Sequence, residues 1–183
     1  MSIKTINDLS LLTPQMQEKH AALVANCAKR GVTLITYETL RTPQTQAAYY
    51  RRGRTITQIS QAVDKLEAAG AHWLAKILED AGPQTGGRCT NALPGQSWHH
   101  FGRAFDNYWD ADMKQPGLQL NWDVNVQING VNGWRVQAEE ATKLGLVPAG
   151  PWFGDWPHVQ DNHDSAPKIA WPDLDAQLKA RFG

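Results

Sequence analysis

The sequence predicts an α+β fold in a single domain, a small antiparallel sheet with helices packed around it. Three observations predict it. A chain of 183 residues carries no repeat and no linker rich in Gly, Ser or Pro to divide it, so residues 1–183 read as one ordinary domain. Several stretches show helical periodicity with identifiable ends, and two short stretches, VTLITYETL and GRAFDNYW, have strand character.

In chain order, TPQMQEKHAALVANCAKRG opens with Thr13 as N-cap and Pro14 at the first helical position. It carries apolar residues at Met16, Leu23, Val24 and Cys27 and stops at Gly31. VTLITYETL, rich in β-branched residues and bounded by Gly31 and Pro43, reads as a strand ending near Arg41. A second helix starts in TPQTQAAYYRRG and stops at Gly53. The segment from Thr55 to Gly82 repeats apolar residues at Ile59, Val63, Leu66, Trp73, Ile77 and Leu78, a helix with a weak point at Gly70. GPQTGGRCTNALPGQ is a loop that delivers the chain to Ser97. In GRAFDNYW a strand sets Gly102, Ala104 and Asp106 on one face and points Asp106 inward. A helix runs from a cap at Asn132 to Gly145, VPAGPWFGDWPH is a connection rich in Pro and Trp, and WPDLDAQLKARFG closes the chain as a short helix.

Composition narrows the function classes. Acidic and basic residues number 18 each, so no electrostatic footprint argues for a nucleic acid or an anionic membrane as partner. No window holds the roughly 18 apolar residues of a membrane span. The opening stretch has one lysine and no long apolar run, so a product made in the cytoplasm without a signal peptide is expected. Cys27 and Cys89 form no CxxC and are expected to be reduced, inert thiols.

The chemistry concentrates in SWHHFGRAFD and GDWPHVQ. A catalytic zinc site uses three nitrogen or oxygen ligands and leaves a position open for water, and His99, Asp106 and His158 would make such a set. The same residues also fit a structural reading, with His99 and His100 at the surface, Asp106 accepting a hydrogen bond and His158 packed among tryptophans. Spacing does not choose between the two.

A resemblance does. SWHHFGRAFD fits S-x-H-x-x-G-x-A-x-D at all its fixed positions, and DWPH fits the D/E-x-x-H element downstream of it. Together they resemble the zinc peptidases that cut peptidoglycan stems: the D-Ala-D-Ala carboxypeptidases, the vancomycin-resistance dipeptidases and the L-alanyl-D-glutamate endopeptidases that tailed phages use as endolysins. TNALPGQSWHHFGRAFD is similar to the endolysin branch over its whole length, and ETLRTPQTQAAYYRRGRT resembles the arginine-bearing strand and helix that precede it. The likeness omits Ile56 to Gly86, which reads as a longer helical insertion, and the tail after Asn162.

The resemblance implies a Zn2+ ion held by His99, Asp106 and His158, on a sheet that carries the site. It implies Asp155 as general base and Arg41 as the guanidinium that meets a substrate carbonyl or carboxylate. Ser97 corresponds to the motif serine, which holds substrate or orients a ligand, and His100 becomes a wall residue. The implied activity is L-alanyl-D-glutamate endopeptidase, because the base is aspartate. The alternatives are a D-Ala-D-Ala carboxypeptidase and, in another class, an inactive wall-binding module on the same fold. The expected partner is the peptidoglycan stem peptide, met by a monomer in the periplasm after the host membrane has been permeabilised. For Ile56 to Gly86 two readings stand: a wall or lid of the catalytic groove, or a helix added to the outside of the core.

Overall fold

The structure is a computed structural model, and it describes residues 5–111 and 122–183. In chain order these form α1 (Pro14–Lys29), β1 (Thr33–Glu38), α2 (Pro43–Arg51), α3 (Ile56–Ala68), α4 (His72–Asp80), β2 (Ala104–Asp110), α5 (Gly133–Lys143), β3 (Val147–Pro148), α6 (Gly150–Phe153), β4 (His158–Gln160) and α7 (Trp171–Phe182). Short 3-10 turns lie at Leu9–Leu11 and Trp98–Phe101. The strands make one antiparallel sheet in the order β1-β2-β4-β3, so the fold is α+β as the sequence predicts. By contacts the chain separates into two compact units. One joins Ile6–Leu40 to Phe101–His163 and holds the sheet, and the other joins Arg41–His100 to Asp164–Gly183 and is helical.

In the sheet unit, the Thr13 hydroxyl accepts from the Met16 N–H and Pro14 fills the first turn, which starts α1 where the sequence places it. The buried face of α1, Met16, Leu23 and Cys27, joins Phe105, Trp109, Trp134 and Val159 in one core. Leu23 has no exposed surface, so cutting it to alanine costs about 2–5 kcal/mol. The Asn132 side chain accepts from the Arg135 N–H and donates to the carbonyls of Val124 and Val126, which caps α5 and ties down the loop before it.

Two strand boundaries differ from expectation. β1 ends at Glu38, not near Arg41, because its register with β2 shifts between Thr36 and Glu38 and the Thr39 N–H turns to the carbonyl of Ile6. β2 starts at Ala104, and its first four residues are all buried, so alternation fades in a central strand flanked by β1 and β4. Gly102 stays outside the strand, in a bend with φ of 66°. A Cβ there would stand 2.3 Å from the Leu11 carbonyl oxygen, and the Gly102 carbonyl accepts from the Thr13 N–H at 2.9 Å. Only glycine permits that approach. The stretch read as a connection contains β3 and α6 and ends at the first residue of β4.

In the helical unit, Thr55 and Gln58 form a reciprocal capping box at the start of α3. The expected weak point is a full break: α3 stops at Ala68, Gly70 has φ of 80°, and α4 begins at His72. α4 lacks a side-chain cap of its own. The Asp175 carboxylate on α7 supplies one, accepting from the N–H groups of Trp73 and Leu74 at 3.3 and 2.8 Å. Leu66, Leu74, Leu78, Leu174 and Leu178 are buried across α3, α4 and α7. Among the described residues no helix is long and apolar enough to cross a membrane.

Candidate metal centre

The sheet register builds the centre. β2 and β4 pair so that Asp106 stands directly opposite His158, and opposite residues of an antiparallel pair put their side chains on one face. The His158 Nδ1 lies 3.0 Å from Asp106 Oδ1. On the other side of β2, Glu38 is the cross-strand partner of Asp106. His99 sits in the 3-10 turn that leads through Gly102 into β2. One ligand atom from each of His99, Asp106 and His158 lies within 4.8 Å of the other two. His99 and Asp106 are buried, and the His158 side chain keeps 15% of its surface exposed.

The donor set fits a cation, and hydrogen bonding around His158 shows why. The Gln160 NH2 donates to the Asn162 carbonyl at 2.6 Å, which fixes the orientation of the amide. Its carbonyl oxygen therefore faces His158 Nε2, 3.1 Å away, so Nε2 carries a hydrogen. The lone pair of Nδ1 is left pointing at a carboxylate oxygen. Two acceptors at 3.0 Å need a positive centre between them, either a proton or a metal ion. Burial works against charge on His158, but the hydrogen bond and charge of Asp106, aided by Asp155 and Gln160, outweigh it and raise its pKa above 6.5. Two imidazoles and a carboxylate suit zinc, which binds such nitrogen and oxygen ligands at about 2 Å.

The other sequence-predicted residues have the following surroundings. Asp155 is exposed, and its carbonyl accepts from the His158 N–H at 3.3 Å. The backbone of Arg41 is held on both sides, its N–H donating to the His99 carbonyl at 3.4 Å and its carbonyl accepting from His100 Nδ1 at 2.6 Å. The Arg41 guanidinium donates to Gln46 Oε1 at 3.1 Å and lies 5.0 Å from the Tyr49 ring centre. Ser97 is buried, and its carbonyl accepts from the His100 N–H to close the 3-10 turn. Neither histidine is at the surface: His99 and His100 both have 0% exposure, which removes the surface reading of the pair. His100 Nε2 accepts from the Gly95 N–H at 3.1 Å, so the neutral ring donates from Nδ1. It pins Arg41 to the loop that leads into Ser97.

Gln160 and Gln46 escaped the sequence reading. Gln160 sets the tautomer of His158. Gln46, fully buried, donates to Thr90 Oγ1 and the Ala92 carbonyl and so keeps its oxygen for Arg41. The only local signal for Gln160 is its spacing two residues after His158, on the same face of a strand. Of the tryptophans near the motifs, Trp98 and Trp109 are buried, whereas Trp152 and its neighbour Phe153 are 66% and 70% exposed just ahead of Asp155.

Comparisons with known proteins bear on this centre. The family model described as D-alanyl-D-alanine carboxypeptidase (VanY) matches residues 9–147. That span includes Arg41, Ser97, His99 and Asp106 and ends before Asp155 and His158. The peptidoglycan L-alanyl-D-glutamate endopeptidase CwlK of Bacillus subtilis (strain 168) is 27% identical over 153 residues, covering 81% of this chain and 72% of CwlK.

Proposed function

The chain belongs to the D-alanyl-D-alanine carboxypeptidase family, and on that premise we propose a zinc-dependent peptidoglycan peptidase that cuts the L-alanyl-D-glutamate bond and serves as a phage-type endolysin. The observation that carries the proposal is the cluster of His99, Asp106 and His158 with Asp155 three residues ahead of His158. The choice of bond is supported by the likeness to CwlK and by aspartate in the place of the base.

His99, Asp106 and His158 would hold a zinc ion, which would supply the Lewis acidity that polarises a scissile carbonyl and eases ionisation of water. Asp155, exposed and close enough for its charge to act on His158, takes a proton from the attacking water and returns it to the leaving amine. Arg41 presents a permanent cation, oriented by Gln46, to the carbonyl oxygen as negative charge develops there. Ser97, two residues ahead of His99, offers the substrate a hydroxyl. As an endolysin the protein is made in the host cytoplasm and reaches the periplasmic wall once the membrane is permeabilised.

Digestion of purified peptidoglycan followed by mass spectrometry tests the proposal. New carboxyl-terminal L-alanine paired with amino-terminal D-glutamate is the expected result. Release of free D-alanine instead would move the assignment to a D-Ala-D-Ala carboxypeptidase, the activity named in the family description. No product from zinc-loaded protein would remove the peptidase reading.

A further inference from the structure

We propose that the helical unit carries a second binding site, a cation-lined cleft that takes the free carboxylates of an acidic peptide. That the peptide is the peptidoglycan stem rests on the function proposed above. The cleft measures about 410 Å³ and lies between the end of α2, one face of α3 and the loop that runs from Arg88 to Gln96. Gln58, Gln61, Ala62 and Lys65 line it at helical spacing, so a single face of α3 forms the wall. Ile59, Ala62 and Leu66 of the same helix are buried. Residues 56–68 therefore pack inward on one face and wall this cleft on another.

The charges that line the cleft, Arg54, Lys65 and Arg88, are all positive, and no carboxylate is among its lining residues. Among the described residues these three make no ion pair, whereas Arg30, Lys76, Arg103, Lys143 and Lys168 each find a carboxylate. Arg54 is fixed without one. Its guanidinium donates to the carbonyls of Tyr50 and Thr90 and to Asn91 Oδ1, and lies 3.7 Å from the Tyr50 ring centre. Burial, with the nearby charge of Arg88, lowers its pKa, the signature of a cation held without a counter-ion.

The backbone brings Arg88 there by design of the chain. Gly53 has φ of 65°, and a Cβ on it would stand 2.5 Å from the Arg88 nitrogen, so the absent side chain lets the loop pack against the end of α2. Two more amides, Asn91 and Gln96, join Gln58 and Gln61 in the lining. The Asn91 oxygen is taken by Arg54 and the Gln96 oxygen by the Leu93 N–H at 3.0 Å, which leaves both NH2 groups as donors. Cationic side chains beside amide donors recognise carboxylates. Gln96, which lines the cleft, lies three residues before His99 in the same unit.

Calorimetric titration of the full-length protein with the tripeptide D-Glu-γ-L-Lys-D-Ala tests this, because that peptide lacks the scissile bond. The wild type should bind it roughly tenfold more tightly than the same peptide with amidated carboxyl groups, about 1.4 kcal/mol. Lys65→Gln with Arg88→Gln, at side chains that make no hydrogen bond or ion pair among the described residues, should abolish that preference. The charge-matched control Lys29→Gln with Lys168→Gln should keep it. Equal binding of acidic and amidated peptides by the wild type, or an unchanged preference in the cleft variant, overturns the proposal. Preference for the acidic tripeptide in a protein that releases nothing from peptidoglycan would support the cleft and sink the peptidase. Stem fragments released without any preference would do the reverse.

Discussion

His100 should make the protein lose stability in mild acid, and the size of the effect follows from its surroundings. The ring is fully buried, donates from Nδ1 to the Arg41 carbonyl and accepts at Nε2 from the Gly95 N–H. A second proton would set N–H against N–H. Burial above all, with the positive charges of Arg41 and Arg181, pushes the pKa from 6.5 down to about 3, against the pull of the Arg41 carbonyl. The folded value is the depressed one, so on acidification the unfolded chain takes up the proton first. The stabilisation is complete above pH 6.5 and drains away between 6.5 and about 3, at about 1.4 kcal/mol per pH unit. At pH 5 roughly 2 kcal/mol should be gone. Urea unfolding at pH 7 and pH 5, with a chelator present so that metal release adds nothing, compares the wild type with His100→Gln. The variant should be less stable at pH 7, because one glutamine cannot reproduce both hydrogen bonds, and the gap should narrow by roughly 2 kcal/mol at pH 5. A gap that is the same at both pH values would refute the reasoning.

Two further outcomes concern the centre itself. Asp155→Asn should keep the fold and bind zinc as the wild type does while kcat falls roughly 10²- to 10⁴-fold, read by metal analysis beside a peptidoglycan turnover assay. Wild-type turnover would return Asp155 to a solvated loop carboxylate. Gln160→Ala frees the Nε2 side of His158, and zinc affinity, measured by competition with a chelating indicator, should drop about 10- to 100-fold.

What could be read in the sequence was local. Thr13 with Pro14 and Asn132 cap helices through side chains within three residues of the N–H they serve, so α1 and α5 start where expected. Gly70 marked the break between α3 and α4 for the same reason. β4 could not be found that way. Its three residues are too few for a period, and pairing with β2 and β3 makes them a strand. Alternation misled on Gly102, whose place is set by contact with Leu11, distant in sequence. The trio His99, Asp106 and His158 could be named only through motif resemblance, since spacing left a structural reading open. The fold removes only the surface part of that reading, by burying both histidines of the turn, and keeps its hydrogen bond to Asp106. Gln160 and Gln46 stayed hidden because each acts only through the fixed direction of its amide, which depends on Asn162 in one case and on Thr90 and Ala92 in the other.

The register of β2 and β4 couples the metal to the stability of the sheet. In the fold Asp106 Oδ1 and His158 Nδ1 lie 3.0 Å apart. Without metal, a proton between them would relieve the contact, and a zinc ion bound as proposed would take that proton's place with His99 as a third ligand. A ligand that binds only the folded chain stabilises it by RT ln(1 + [L]/Kd), about 4 kcal/mol at a thousandfold excess over Kd. In a chain of 183 residues each kcal/mol is worth about 2–4 °C, so thermal unfolding should move up by roughly 8–16 °C when zinc is added to chelator-treated protein. Asp106→Asn separates the two parts of the argument. Its amide can donate to Nδ1 and relieve the clash of acceptors, so the metal-free variant should unfold near the wild-type temperature at pH 7, yet zinc should no longer raise it. An equal zinc-induced shift in wild type and variant would show that the ion binds elsewhere and that the facing pair on β2 and β4 is a structural hydrogen bond.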